Sequence, residues 1–336
     1  MNAKGLTTLA GVTLVAVAAT TFVLQNRSTR VVTDRRGETV FATLQAKGPD
    51  VASIELQDGD KSIVIVRKDN AFVAAGSDYP VKLDVVRDLI FTTAALRFEE
   101  AKTADPARYG DLGLGAPGAA ADAGKQIIIK GSGDALLASF LLGNRDMSVG
   151  GPQGGAYIKV GDGAQTWLVR GEVKAPGMKS DWFDNVIARI EPAKIAKVEL
   201  SGGDKEPIAV SSPEAGKELE LAKVPENHTV EPGKISRLSG IAETLEFQDV
   251  RKAGTGAVGA RQYMAETRDG LVLKINPVGD IADNWVRIAV ESKAEASSEQ
   301  AKAIAAKVAG RDFRIAGYQA EVFGWAPAEM TSEQKM

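Results

Sequence analysis

A chain of 336 residues with 44% hydrophobic and 25% charged side chains has the make-up of a folded protein with room for about two domains. Its formal net charge of −3 argues against a nucleic-acid surface, because such binding rests on lysines and arginines releasing counterions. The absence of cysteine excludes disulfides, thiolate nucleophiles and cysteine-based zinc sites, and the single histidine, His228, excludes any site built on two imidazoles.

From Gly5 to Leu24 the chain reads GLTTLAGVTLVAVAATTFVL, without charge or proline. As a helix rising about 1.5 Å per residue, this stretch matches a hydrocarbon core of roughly 30 Å. Residues 1–26 are therefore expected to form a transmembrane anchor. Ala16-Val17-Ala18 also resembles a small-residue cleavage site, although apolar Phe22-Val23-Leu24 continues past it. Lys4 precedes the segment, and Arg27, Arg30, Arg35 and Arg36 follow it, so flanking charge alone does not fix the orientation. Residues 27–40 read as a polar juxtamembrane linker whose arginines meet lipid headgroups.

Residues 41–180 read as a first α+β unit. Residues 53–56 and 62–67 predict a β-hairpin turning through Asp58-Gly59-Asp60, and Ala71-Phe72-Val73 predicts a third strand. Beyond Pro80, Val85, Val86, Leu89, Ile90 and Thr93 fall at helical spacing and predict an amphipathic helix over 83–96. Short strands at 126–130, 136–142, 156–160 and 166–170, separated by glycine-rich turns, predict an antiparallel meander. Residues 181–326 read as a second unit, with a helix near 234–244 and strands at 263–267, 271–275 and 285–290. A further helix over 300–308 is expected to be capped by Ser298 and stopped by Gly310. Residues 327–336 are expected to be a frayed tail.

The two units echo each other. Val51-Ala52-Ser53-Ile54-Glu55-Leu56 returns as Ile195-Ala196-Lys197-Val198-Glu199-Leu200. Gly59-Asp60-Lys61 returns as Gly203-Asp204-Lys205, and Leu96-Arg97-Phe98 returns as Leu245-Glu246-Phe247. Three matches in one order predict a duplication. The expected fold class is α+β: two tandem, diverged repeats of antiparallel β-meanders with amphipathic helices, preceded by one transmembrane helix.

Tyr109-Gly110, Leu112, Leu114 and Pro117 are followed by Gly155-Ala156-Tyr157-Ile158, Trp167-Leu168-Val169 and Trp182-Phe183-Asp184. With Asp69-Asn70-Ala71-Phe72 and Tyr79-Pro80, this pattern resembles the domain-of-unknown-function family 4340 over roughly residues 41–325. The chain departs from it at Phe72, where tryptophan is commoner. The resemblance implies a bacterial envelope protein with one N-terminal anchor in the cytoplasmic membrane and an extracytoplasmic body. It also implies an association with ABC-type exporters and gliding-motility type systems. It supplies no catalytic residue.

Each candidate site has a simpler explanation beside it. Gly113-Leu114-Gly115-Ala116-Pro117-Gly118 spells a dinucleotide fingerprint but lacks the strand and helix that such a loop must join. The run 150–155 lacks the Lys-Ser/Thr of a phosphate loop. His228 sits in a polar stretch with no evident nucleophile. Glu99-Glu100 and Asp181/Asp184 read as solvated acids rather than acid–base or metal pairs. The tryptophans read as core anchors, with Phe323 and Trp325 as the candidate partner-facing patch. No catalytic, cofactor or metal residue is expected. The leading expectation is a non-enzymatic, membrane-anchored scaffold or accessory component contacting ABC-type transporter subunits. The alternative is a glycan- or lipid-binding module using a cleft between the units.

Overall fold

The computed structural model describes residues 34–333 apart from 119, 120, 150, 152 and 178. The expected anchor from Gly5 to Leu24 lies outside the described residues. No described helix is long and apolar enough to cross a membrane, which leaves strands unaddressed.

The first unit runs α1 (Ala42–Lys47), β1 (Val51–Asp58), β2 (Lys61–Lys68), β3 (Ala71–Ala74), β4 (Tyr79–Pro80), α2 (Leu83–Ala94) and β5 (Arg97–Ala101). It continues through β6 (Lys125–Gly131), β7 (Leu136–Asp146), β8 (Gly155–Val160) and β9 (Thr166–Arg170). The second runs β10 (Val186–Arg189), β11 (Ile195–Ser201), β12 (Ile208–Ser211), β13 (Glu220–Leu221), β14 (His228–Val230), α3 (Pro232–Glu243), β15 (Thr244–Glu246) and β16 (Asp249–Lys252). It ends with β17 (Gln262–Thr267), β18 (Leu271–Pro277), β19 (Trp285–Ser292), α4 (Ser298–Val308), β20 (Arg311–Arg314), α5 (Gly317–Ala320) and β21 (Thr331–Glu333). The protein is α+β, dominated by antiparallel sheet.

The two large sheets have corresponding orders, β4-β3-β2-β1-β6-β7-β8-β9-β5 and β13-β12-β11-β17-β18-β19-β20-β16. The expected meanders are β6–β9 and β17–β19, and the second gains β20, a strand that was not expected. Helix α2 leads directly into β5, which pairs at the far edge with β9, whereas α3 leads first into β15, which pairs with β10, and then into β16, which pairs at the far edge with β20. The correspondence reaches single residues. Each central strand bulges against its neighbour at the same point, between Val51 and Ser53 on β1 and between Ile195 and Lys197 on β11. A bulge inserts one residue and resets the alternation. Val51 and Ile54, three apart, therefore both reach the core, as do Ile195 and Val198. Phe98 N–H donates to Glu38 O at 3.0 Å, and Phe247 N–H donates to Asn185 O at 3.0 Å.

The boundary between linker and body falls earlier than expected. Arg35 pairs with Glu38 at 2.8 Å and stacks 4.0 Å from the Phe98 ring centroid, and Arg36 pairs with Glu99. Val40 N–H donates to Leu96 O at 3.1 Å. Residues 34–40 are thus bound to β5, and these two arginines contact protein rather than being free for lipid headgroups. Residues 327–333 of the expected tail are also docked. Met330 is fully buried, and β21 pairs with β14 in the register His228↔Glu333, Val230↔Thr331. Buried apolar area and strand pairing offset the entropy that would otherwise fray a terminus. The helix at the end of the second unit starts at Ser298 rather than after it, and no serine side chain caps it, although Gly310 stops the segment with φ +67°.

The sheets share one continuous core. Its junction is the turn between β3 and β4, which enters the second unit. Tyr79 lies edge-on to Phe183, Phe247 and Phe313, at centroid distances of 5.6, 5.2 and 6.0 Å. Arg311 Nε and Nη2 donate to Ser77 O and Asp78 O at 3.1 and 3.0 Å. Lys252 Nζ pairs with Asp78 at 3.1 Å, and Lys82 N–H donates to Trp182 O at 2.8 Å. Edge-to-face rings and bonded backbone together fix the relative placement of the units.

Candidate interaction surfaces

Phe323 and Trp325 do not form a partner-facing patch in this fold. They are 4% and 7% exposed and belong to the common core. Lys234 Nζ and Arg237 lie over the indole of Trp325, at 4.6 and 5.4 Å from the ring centroid. The place of Phe323 and Trp325 near the C-terminus is what suggests a partner-facing patch in the sequence. The strand pairing of β21 draws that segment inward.

Arg261, at the entry to β17, went unnoticed in the sequence. It is 8% exposed and forks to backbone carbonyls: Gly202 O and Lys205 O at 3.1 Å, Glu206 O at 3.3 Å and Trp325 O at 2.7 Å. Burial lowers its pKa from the usual guanidinium value. A lone arginine in a glycine-rich stretch carries no signal that four carbonyls will converge on it.

The fingerprint-like run behaves as a turn. Residues 113–118 connect a 3₁₀ turn to β6 with no helix following, and a Cβ at Gly115 would stand 2.8 Å from Asp122 O. His228 opens β14, with Nδ1 2.9 Å from Glu226 O. Glu99 is held between Arg36 and Arg170, Glu100 pairs with Lys102, and Asp184 pairs with Lys307. Among the described residues no cluster of side chains has the make-up of a metal site.

The void beside Trp182, where the inter-unit linker crosses the β1–β2 turn, measures about 20 Å³, room for one water. Larger grooves lie within the units, at matching places. One, of about 690 Å³, is lined by Pro49, Phe72, Val86 and Ile90; the other, of about 750 Å³, by Pro192, Leu219, Ile235 and Ser239. Each lies between the crossing helix and the outer part of its sheet. The first is flanked by Phe91, 77% exposed. The second is rimmed by Glu218, Glu220 and Glu243.

Two tyrosines show how polar groups secure the scaffold. Asp146 accepts from Ser148 Oγ and N–H and from Tyr157 OH at 2.6 Å, which holds its carboxyl at about 2 and pushes Tyr157 up to about 12. Burial, with Asp184 nearby, pushes Tyr79 up to about 12. Unfolded tyrosine ionises near about 10, so the unfolded chain loses this proton first. The stability held by neutral Tyr79 is therefore complete below about pH 10 and declines as pH rises to about 12. Urea midpoints should fall over that window, and Tyr79→Phe should flatten part of the fall.

Residues 72–262 match the model of a family described as a domain of unknown function, DUF4340. That span is more than half of the chain. The chain belongs to this family. No curated protein and no solved structure matches it. The span runs from β3 to the first residue of β17, so in DUF4340 the matched stretch takes in the junction and parts of both sheets.

Proposed function

We propose that this DUF4340 protein is a non-enzymatic scaffold, anchored in the bacterial cytoplasmic membrane by Gly5 to Leu24. Its body stands on the extracytoplasmic side as an accessory component of an ABC-type envelope transport system. We also read its two units, 41–180 and 181–326, as diverged copies of one ancestral unit; the matching strand orders and bulges support that reading.

The observation that carries the scaffold reading is the rigid junction. Hinge-bending proteins need a loosely packed interface, whereas here Tyr79 and its three phenylalanine neighbours join the two sheets through one apolar core. A fixed pair of units holds two grooves at a constant separation, which suits gathering partners at a membrane where anchoring already raises local concentration. The void by the inter-unit linker at Trp182, about 20 Å³, is too small to serve as a ligand cleft.

Affinity purification of the tagged full-length chain from native membranes in a mild detergent should recover transporter subunits in near-stoichiometric amount. Recovery of the lone chain, or its release from membranes by alkaline carbonate, would sink the proposal. Protease treatment of intact spheroplasts should digest the body while sparing cytoplasmic markers.

A further inference from the structure

We propose that the free edge of β13 receives an extended, basic peptide segment of a partner protein as an added strand, with one of its apolar side chains lodged in the groove between β13 and α3. The first unit shows what such an occupant looks like. There β3 carries a further strand on its outer side, β4, in the register Val73↔Pro80 and Ala74↔Tyr79. Following the pairings Ile54↔Ile65↔Ala74 and Val198↔Val210↔Leu221, the matching positions on β13 are Glu220 and Leu221. The strand that matches β4 is β14, since each directly precedes the crossing helix of its unit. In the second unit β14 pairs with the C-terminal β21, and β13 stands at the end of its sheet.

That edge can accept a strand. Ala222 N–H turns inward to Ala209 O at 2.9 Å, so the alternate amide, that of Leu221, points away from the sheet. Unpaired edge amides and carbonyls are what strand addition uses, with pockets for alternate side chains supplying selectivity. The adjoining groove of about 750 Å³ offers Leu219, Leu221, Val224 and Ile235 to an apolar side chain. Charge selects the rest of the occupant. Glu218 and Glu220 are exposed and have no ion-pair partner among the described residues. Of the nearby cations, Lys217 is engaged with Glu214 at 2.9 Å, and Lys223 is exposed beyond the end of β13. An acidic rim around an apolar slot fits a segment whose apolar residues are flanked by lysine or arginine.

This inference stands apart from the scaffold proposal, because its test needs neither a membrane nor a transporter. The full-length chain in dodecyl maltoside is titrated with a fluorescein-labelled peptide of alternating valine and threonine carrying two arginines at each end. Saturable binding is expected, with slowed hydrogen exchange at the Leu221 amide. The doubly reversed variant E218K/E220K should bind this peptide about tenfold or more weakly and should gain binding of the same peptide ended with glutamates. That gain distinguishes lost recognition from lost folding. No saturable binding, binding unchanged by the reversal, or binding without protection at Leu221 would overturn the proposal. So would laurate competing for the groove with equal effect on both forms, or a dimer of the unliganded chain abolished by E218K/E220K. The first of these results would assign the groove to a lipid, and the second would assign the edge to another copy of the chain.

Discussion

Tyr79→Ala is expected to destabilise the protein by about 3–5 kcal/mol, the usual cost of removing a buried aromatic ring whose neighbours cannot collapse into the space. Three phenylalanines face this ring from the second unit, and all are at most 1% exposed. They lie on separate elements: Phe183 after the inter-unit linker, Phe247 between β15 and β16, and Phe313 on β20. No single shift can close the gap among all three. The hydroxyl matters less, because its bond to Asp184 O is long at 3.3 Å, so Tyr79→Phe should cost about 1 kcal/mol or less. Urea unfolding followed by tryptophan fluorescence should separate the variants. The alanine variant should also unfold in two steps, because the ring is a main apolar tie between the sheets. A single transition with an unchanged midpoint would show that the junction contributes little.

Arg261→Met is expected to cost about 2–4 kcal/mol and to loosen the C-terminal segment selectively. The guanidinium gathers carbonyls from the 202–206 turn and from Trp325 by donating to each of them. Methionine fills a similar volume, so the loss comes from carbonyls left unpaired rather than from a cavity. Part of that loss is offset because a charge no longer has to be buried. Lysine should rescue poorly, since a single ammonium cannot fork between two loops. Hydrogen exchange at residues 325–333 should quicken in the methionine variant while the β6–β9 meander stays protected. Uniform quickening across both sheets would mean that Arg261 supports the whole fold rather than the C-terminal segment.

Much of the fold was legible because its signals are local. The spacing of Val85, Val86, Leu89 and Ile90 marks α2, which the structure places at Leu83–Ala94. The glycine-bounded β-branched runs mark β6, β8 and β9 within a residue of their observed ends. The odd spacing in Val51-x-x-Ile54-x-Leu56 was legible as a motif but not as a bulge, since an inserted residue shows itself only against a paired strand. The burial of Phe323 and Trp325 was not legible, because it depends on β21 meeting β14 across about a hundred residues of chain. Nor was the edge of β13 legible. Its openness follows from which of two possible partners β14 takes, and strand pairing is decided by competition in three dimensions.

By itself, then, the sequence determined the things that short-range chemistry decides. These are an apolar segment of membrane-spanning length outside the described residues, an α+β composition with helices and meander strands in their observed order, and the family. Tertiary structure alone decided that β5 and β16, after the crossing helices, reach the far edges, that Tyr79 joins two sheets into one core, and that residues 327–333 are docked rather than loose. The physical reason is the range of the forces. Periodicity and turn preference act over a few residues, whereas burial and strand pairing are settled between segments that meet only when the chain has closed upon itself.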